Sequence, residues 1–191
     1  MDDLAARNQF HEEPMRFSAE EFFELAKLAP IADHSGKVEL VDGVIVRMSP
    51  ALNPHAKYHS QLMIRLSMAY GEERPDSWVV RVELTLRLGN YTTRDADIAV
   101  IRNPGDDQGA GKPHDVLMVV EIAHTSLEKD LGPKRANYAT AGIPHYWVVD
   151  VEGRQVRQFT QPIGDRYDCE TCINFGTLID VPETDTAITV G

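Results

Sequence analysis

The feature that most constrains the fold is residues 116–122, a run that is apolar except for one acid, Glu121. A short apolar run of this kind is typical of a central β-strand that is buried on both faces. An ionised carboxylate inside such a strand is costly unless a cation or hydrogen bonds compensate it. The run therefore predicts a sheet at the centre of the protein and a compensated acid within it.

The other patterns place helices and strands around this strand, which predicts an α/β fold. Ser18 and Glu21 form the capping-box pattern that opens a helix. Asp42-Gly43 lies between two β-rich runs and predicts a hairpin over residues 38–48. Helices are predicted over residues 19–29, 55–70 and 133–141, and strands over residues 78–88, 96–102, 116–122, 145–150 and 156–159, with one or two edge strands after Tyr167.

The length of 191 residues, 42% of them hydrophobic, predicts a single domain with one sizeable core. We expect residues 1–16 to form a flexible tail and residues 17–191 to form the domain. No apolar run approaches the roughly 20 residues that cross a bilayer. The polar N-terminus also lacks the pattern of a signal peptide. We therefore expect a cytoplasmic protein with no membrane partner.

The net charge of −11 argues against a protein that grips nucleic acid through a broadly basic surface. It leaves open a local basic cleft. Five basic residues accompany the two strands that carry the candidate carboxylates, and they would serve either as contacts to a nucleic-acid strand or simply as solubilising charges. They are Arg81, Arg87, Arg94, Arg102 and Lys112.

Two further spacings resemble metal motifs. Cys169 and Cys172 form a Cys-x-x-Cys pair, but a zinc ribbon needs a second pair and a redox motif needs a βα setting, so we interpret them as reduced thiols without a function. His55 and His59 have a His-x-x-x-His spacing. Without a Glu between them or an evident third ligand, this spacing does not favour zinc.

Asp97 and Glu121 are the acids that best suit a metal site, since each lies in a β-rich run. If their strands are neighbours, the two carboxylates converge at one end of the sheet. Mg²⁺ is typically held by one or two carboxylates together with water and substrate phosphate. The alternative is a structural one, in which Glu121 is buried against an arginine.

Lys134 follows Glu121 by thirteen residues, near the start of the predicted third helix. Asp130, Lys134, Tyr138 and Ala141 are spaced to share one face of that helix. A helix packed beside the strand of Glu121 would direct the Lys134 ammonium to the metal site, where it could stabilise charge on a phosphate. By itself, Lys134 would be an ordinary surface lysine.

The ordered set of these patterns resembles the Uma-two family of restriction-endonuclease-like proteins, in the PD-(D/E)XK nuclease superfamily. The resemblance covers roughly residues 17–160. The matching positions are Glu39-Leu-Val-Asp-Gly43, Met48-Ser-Pro50, His55, Ala96-Asp-Ile-Ala-Val100, Val119-Val-Glu-Ile122, Asp130, Lys134, Tyr138 and residues 142–150.

The resemblance implies a mixed central β-sheet flanked by helices and a phosphodiesterase site that uses Mg²⁺, with Mn²⁺ as an alternative. Asp97 would be the metal-binding Asp and Glu121 the acid of the second half-motif. The superfamily's lysine usually stands two residues after that acid, where this chain has Ala123, so its role passes to Lys134.

The same resemblance implies supporting roles for Glu39 and His55. Glu39 would be a further metal or water ligand, or else an exposed strand residue. His55 lies near the start of the second predicted helix, where a phosphate could dock.

The sequence thus predicts an endonuclease that cleaves DNA, with catalytic residues Asp97, Glu121 and Lys134. Because duplex cleavage with two-fold symmetry needs two sites, we also expect a homodimer. The chain departs from the family pattern at Ala96, in residues 124–127 and at Pro133. The departures and the acidic charge favour an alternative, a weak or inactive nuclease-fold module that binds nucleic acid or protein. A different phosphate- or metal-handling enzyme is the third reading.

Overall fold

The computed structural model describes residues 14–28, 37–48, 53–71, 77–102 and 109–191. Its α-helices are α1 (Ala19–Ala26), α2 (Asn53–Tyr70), α3 (Leu127–Lys129) and α4 (Arg135–Thr140). A π-helical segment, Asp130–Lys134, joins the last two, and a 3₁₀ helix, Pro113–Asp115, precedes β5. Its strands are β1 (Val38–Val41), β2 (Val44–Arg47), β3 (Trp78–Arg87), β4 (Thr93–Arg102), β5 (Val116–Ala123), β6 (His145–Asp150), β7 (Gln155–Ile163), β8 (Arg166–Asn174), β9 (Ile179–Asp180) and β10 (Ala187–Ile188). Within the described residues, no helix is long and apolar enough to cross a membrane.

A six-stranded sheet forms the centre of the fold, with the strand order β3-β4-β5-β6-β7-β8. Strands β5 and β6 are parallel, whereas every other neighbouring pair is antiparallel. The chain between β5 and β6 carries α3, the π-helical segment and α4. This arrangement confirms the predicted mixed central sheet with flanking helices.

Strand β5 lies between two hydrophobic cores, and all eight of its residues are buried. Val120 and Ile122 pack in one core with Leu62 of α2, while Val119 packs in the other core with Tyr138 of α4. Alternate residues thus face opposite sides of the sheet. The prediction of a central strand buried on both faces is confirmed, and this strand carries Glu121 into the interior.

The predicted hairpin over residues 38–48 is confirmed as β1 and β2. Asp42 and Gly43 both adopt positive φ angles, 49° and 82°, as a tight two-residue turn requires. A Cβ atom at Gly43 would lie 2.7 Å from Cβ of Arg16, so the packed chain also excludes a side chain there. This hairpin places the carboxylate of Glu39 against Arg94 of β4.

Helix α1 begins at the predicted capping box, in which Ser18 and Glu21 each bind the other's backbone N–H. It ends at Ala26, three residues before the predicted end, and Ala29 and Pro30 lie outside the described residues. The reason is a tightened last turn, since Lys27 N–H bonds to the carbonyl of Glu24. Of the predicted tail over residues 1–16, residues 1–13 likewise lie outside the described part of the chain.

The predicted start of the third helix at residue 133 is wrong, because helical structure already begins at Leu127. Pro133 lies inside the π-helical segment rather than at a helix start. Proline lacks an amide N–H and collides with the carbonyl four residues before it, and a wider turn accommodates both effects. The helix therefore reaches back toward Glu121 by about two turns more than the sequence predicted.

The chain after Tyr167 forms edge structure, as predicted. Strand β8 lies at the edge of the six-stranded sheet, and β9 pairs with β10 in a separate small sheet. Cys169 and Cys172 of β8 are exposed and unpaired with each other, in agreement with the interpretation of two free thiols.

Candidate active site

Asp97 lies at an interruption of β4. In the pairing of β3 with β4, Val82 opposes Ile98 and Leu84 opposes Ala96, but the intervening pair of Glu83 with Asp97 is missing. Glu83 adopts a positive φ of 53°, a backbone conformation that is uncommon for a side chain of this kind. Pairing with β5 also begins only at Ile98. Asp97 therefore makes no ladder pair with either neighbouring strand.

The Asp97 carboxylate is held by two hydrogen bonds to one oxygen. Its Oδ2 accepts from His55 Nε2 at 2.9 Å and from the backbone N–H of Ile122 at 2.8 Å. Burial by itself would raise the pKa of Asp97, but the bond to His55 and its charge outweigh burial and lower that pKa. The same contact raises the pKa of His55. Asp97 is therefore an ionised, oriented carboxylate, and His59 holds its backbone carbonyl at 3.0 Å.

Glu121 is 2% exposed, and both of its carboxylate oxygens have partners. Oε2 lies 2.9 Å from the Lys134 ammonium, and Oε1 accepts from the Tyr138 hydroxyl at 2.7 Å. Burial raises the pKa of Glu121 well above its ordinary value; Lys134 opposes this shift, whereas the charges of Asp97 and Asp130 add to it. The structural alternative of an arginine partner is wrong, since the cation is Lys134.

Lys134 is 3% exposed, so the reading of an ordinary surface lysine is wrong. Its ammonium also lies 3.6 Å from Oε1 of Glu39 and donates to the carbonyl of Asp95 at 3.3 Å. Burial alone would lower the pKa of Lys134. The carboxylates around it, with Glu121 the strongest, raise that pKa instead and keep the side chain protonated.

Glu39 is completely buried, which excludes the reading of an exposed strand residue. Its carboxylate accepts from Arg94 at 2.8 Å, from Asp95 N–H at 3.2 Å and from Lys129 at 3.3 Å, in addition to the contact with Lys134. Burial raises its pKa, but the charges of Lys134, Arg94 and Lys129 together lower it below the ordinary value. Glu39 thus links the β1–β2 hairpin to Lys129 of α3 and to Lys134 of the π-helical segment.

Arg94 is one of the five basic residues for which the sequence left two roles open, contact with a nucleic-acid strand or solubility. Neither role fits it, because its side chain is 1% exposed. Its guanidinium bonds to Oδ1 of Asn137 at 2.9 and 2.7 Å as well as to Glu39. Of the other basic residues in that set, Arg87 pairs with Glu20, and the guanidinium of Arg102 lies over the ring of Trp78.

Sequence reasoning assigned no role to Arg94, Asn137 or Tyr138 in holding the carboxylates. Asn137 and Tyr138 follow Lys134 by three and four residues, which is the spacing of one helical face. That spacing was the available signal for both. An arginine inside a β-rich run gives no comparable signal, because its acidic partner lies 55 residues away.

The described residues contain no group of three histidines, cysteines or acids close enough to hold a metal ion by themselves. Mg²⁺ needs fewer protein ligands, since water and substrate complete its shell. The chemistry of the donor set fits such an ion, because Asp97 and Glu121 offer the carboxylate oxygens that Mg²⁺ prefers. Burial also raises the pKa of Glu121 despite the neighbouring Lys134.

Comparison with known proteins identifies the family of the chain and a structure of similar fold. Residues 19–188 match the model of the Uma2 family, which is described as "Putative restriction endonuclease". The chain belongs to the Uma2 family. It also resembles the crystal structure of "a putative nuclease belonging to DUF820" from Anabaena variabilis, with a TM-score of 0.69 and 15% identity over 91% of this chain and 94% of that chain. That likeness concerns the fold alone, and no curated protein matches the chain.

Proposed function

We propose that this Uma2 protein is a Mg²⁺-dependent endonuclease that hydrolyses phosphodiester bonds in DNA. The observation that carries the proposal is the direct contact between the Lys134 ammonium and the buried carboxylate of Glu121, with Asp97 close enough for its charge to raise the pKa of Glu121. Membership of a family described as "Putative restriction endonuclease" supports nuclease chemistry.

Asp97 and Glu121 would hold the metal, which is Mg²⁺ or, in its place, Mn²⁺. When bound, the ion would act as a Lewis acid that withdraws charge from the phosphate. His55 and the amide of Ile122 orient Asp97 by binding Oδ2. In the described residues no hydrogen bond reaches Oδ1, and we assign this oxygen to the cation.

Lys134 would act on the reacting phosphate. During hydrolysis a bond forms between a water oxygen and phosphorus, the bond to the leaving sugar oxygen breaks, and negative charge accumulates on the phosphoryl oxygens. A protonated lysine in a buried site stabilises that charge more strongly than one in water. Glu39 contacts the Lys134 ammonium from the hairpin, and we assign it the role of a positioning residue.

The second candidate is a nuclease-fold module that binds nucleic acid or protein without cleaving. It is favoured by the contacts of Glu121, whose two oxygens are both engaged by Lys134 and Tyr138, and by the net charge of −11. In that case the ion pair of Glu121 with Lys134 would be structural only.

The test is incubation of the purified protein with supercoiled plasmid, single-stranded DNA and RNA, each with Mg²⁺, with Mn²⁺ and with chelator. The control is Glu121→Ala. We expect metal-dependent cleavage of DNA by the wild type alone. Linear product from the plasmid at the first turnover would support a homodimer with two sites. Absence of cleavage from protein that still binds Mg²⁺ would favour the non-cleaving module.

A further inference from the structure

A cavity of about 330 Å³ lies beside the candidate active site and has no role in the proposed reaction. It is lined by residues of α3, of the π-helical segment and of the loop before them. These residues are Thr125, Ser126, Glu128, Lys129 and Pro133. Its volume falls at the lower end of the range of small-ligand sites.

Lys129 connects this cavity to the active site. Its ammonium lies 3.3 Å from Oε2 of Glu39, while that of Lys134 lies 3.6 Å from Oε1 of the same carboxylate. The two ammonium groups are therefore close to each other, because both contact the same carboxylate. A polymer bound at Lys134 would have to pass close to Lys129.

Glu39 has two cationic partners besides Lys129. Arg94 already binds Oε2 of Glu39 at 2.8 Å, and Lys134 lies against Oε1. Arg94 and Lys134 are buried, whereas the Lys129 side chain remains 32% exposed. The Lys129 ammonium also lies 2.7 Å from Sδ of Met48, while part of its side chain lines the cavity. A lysine with a neighbouring hydroxyl is a usual means by which proteins contact a nucleic-acid backbone.

We propose that this cavity binds a phosphate of the nucleic-acid strand next to the phosphate that is cleaved. The donors are the Lys129 ammonium and the Thr125 hydroxyl; the Ser126 hydroxyl is already donated to Asp130 at 2.5 Å. The chain has a net charge of −11, so it can attract a strand only through local cations of this kind. The inference rests on the proposed nuclease function, because it assigns a substrate contact to the same site.

Glu128 also lines the cavity, and its negative charge provides a test of the proposal through the direction in which affinity changes. Its exposed carboxylate would repel a bound phosphate, whereas it would attract a cationic ligand. Removal of the two neighbouring charges should therefore change the affinity for nucleic acid in opposite directions.

The experiment measures binding of a short fluorescein-labelled DNA, as a single strand and as a duplex, by anisotropy over a series of salt concentrations. Chelator is present in one arm and Ca²⁺ in the other. We expect Lys129→Gln to raise Kd about five- to tenfold and to reduce the slope of log Kd against log salt by about 0.7 for the single strand and about 0.9 for the duplex, which is the loss of one phosphate contact. We expect Glu128→Gln to lower Kd about two- to threefold.

The controls separate the cavity from other causes. Lys27→Gln removes the same charge from α1, where Lys27 pairs with Glu24, and should leave the slope unchanged. Lys129→Arg keeps the charge and should retain the wild-type slope even if packing changes. A slope unaffected by Lys129→Gln, an equal effect of Lys27→Gln, a weakening by Glu128→Gln, or no DNA binding by the wild type would each overturn the proposal.

The plasmid assay distinguishes the two proposals. If the wild type cleaves DNA but Lys129→Gln keeps the full salt slope, the proposed phosphate site in the cavity is wrong and the proposed nuclease activity stands. If the protein never cleaves but Lys129→Gln reduces the slope, the cavity binds phosphate and the proposed nuclease activity is wrong.

Discussion

Glu39 and Glu121 are two buried glutamates that contact the same ammonium, yet their pKa values move in opposite directions. Both side chains are 2% exposed or less, and both lie within 3.6 Å of the Lys134 ammonium. The pKa of Glu39 lies below its ordinary value, whereas that of Glu121 lies well above it. Burial acts on both residues in the same sense, so it does not explain the difference.

The surrounding charges explain it. Glu39 faces Lys134, Arg94 and Lys129, and a backbone N–H also donates to it. Glu121 has the ammonium of Lys134 and a neutral hydroxyl, and it also faces the negative charges of Asp97 and Asp130. A buried acid with several cations is a stable structural anchor, whereas one with too little positive charge is the acid that gains most from a divalent cation.

The largest expected effect is on catalysis. Asp97→Ala and Glu121→Ala should each reduce metal-dependent cleavage by more than about a thousandfold, because each would remove a metal ligand. Glu39→Gln should reduce it only about tenfold, since it displaces Lys134 without removing a ligand. Plasmid cleavage under matched conditions measures all three, with circular dichroism as the control for folding.

Cleavage retained by either Asp97→Ala or Glu121→Ala would show that the assignment of the metal ligands is wrong. A loss of cleavage in Glu39→Gln as great as that in Glu121→Ala would show that the two glutamates do not differ in their importance for catalysis.

The next effect is on stability, where we expect the Glu39 substitution to cost more than the Glu121 substitution, the reverse of their order in catalysis. Glu39→Gln should lower the free energy of unfolding by about 3 to 5 kcal/mol, because Arg94 would be left buried without its anion. Glu121→Gln should lower it by less than about 2 kcal/mol, since its ionised form is already disfavoured. Urea unfolding in chelator measures both. Equal losses in the two variants would mean that Lys134, and not the count of cations, determines stability here.

Lys134→Ala separates chemistry from metal binding. The variant should cleave about a hundredfold more slowly, because the charge on the phosphate loses its buried cation. Its affinity for Mg²⁺, measured by calorimetry, should change by less than about threefold, since no ligand is lost. Equal loss of rate and of metal affinity would instead assign Lys134 a structural role.

The smallest effect is on the pH dependence of unfolding in chelator. The folded pKa of Glu39 is lowered, so its contribution to stability is present above the ordinary pKa of 4.5 and is lost as the pH falls through the folded pKa. The folded pKa of Glu121 is raised, so its ionisation lowers stability as the pH rises from 4.5 through the folded pKa. For either glutamate, a tenfold difference in proton affinity between the folded and unfolded chain corresponds to about 1.4 kcal/mol of stability.

The measurement is the free energy of unfolding of the wild type minus that of Glu39→Gln or Glu121→Gln, from acidic to neutral pH. The difference should increase with pH for Glu39→Gln and decrease with pH for Glu121→Gln. Slopes of the same sign in both differences would contradict the opposite pKa shifts.

Much of the fold was predictable because its signals are local. The capping box of Ser18, the turn at Asp42-Gly43 and the apolar run of β5 each depend on neighbouring residues, and each is confirmed. The errors occur where packing overrides local preference. Pro133 predicted a helix start, but the chain uses a π-helical segment to carry Lys134 into contact with Glu121.

By itself the sequence identified the candidate side chains: an acid in each of two β-rich runs and a lysine on a helical face beyond them. Only the tertiary structure decided which charges meet. Glu39 and Arg94 are 55 residues apart, and their contact depends on a hairpin folding against a sheet. Electrostatic energy depends on distance in space and on exclusion of water, so the different states of Glu39 and Glu121 arise only when the core closes around them.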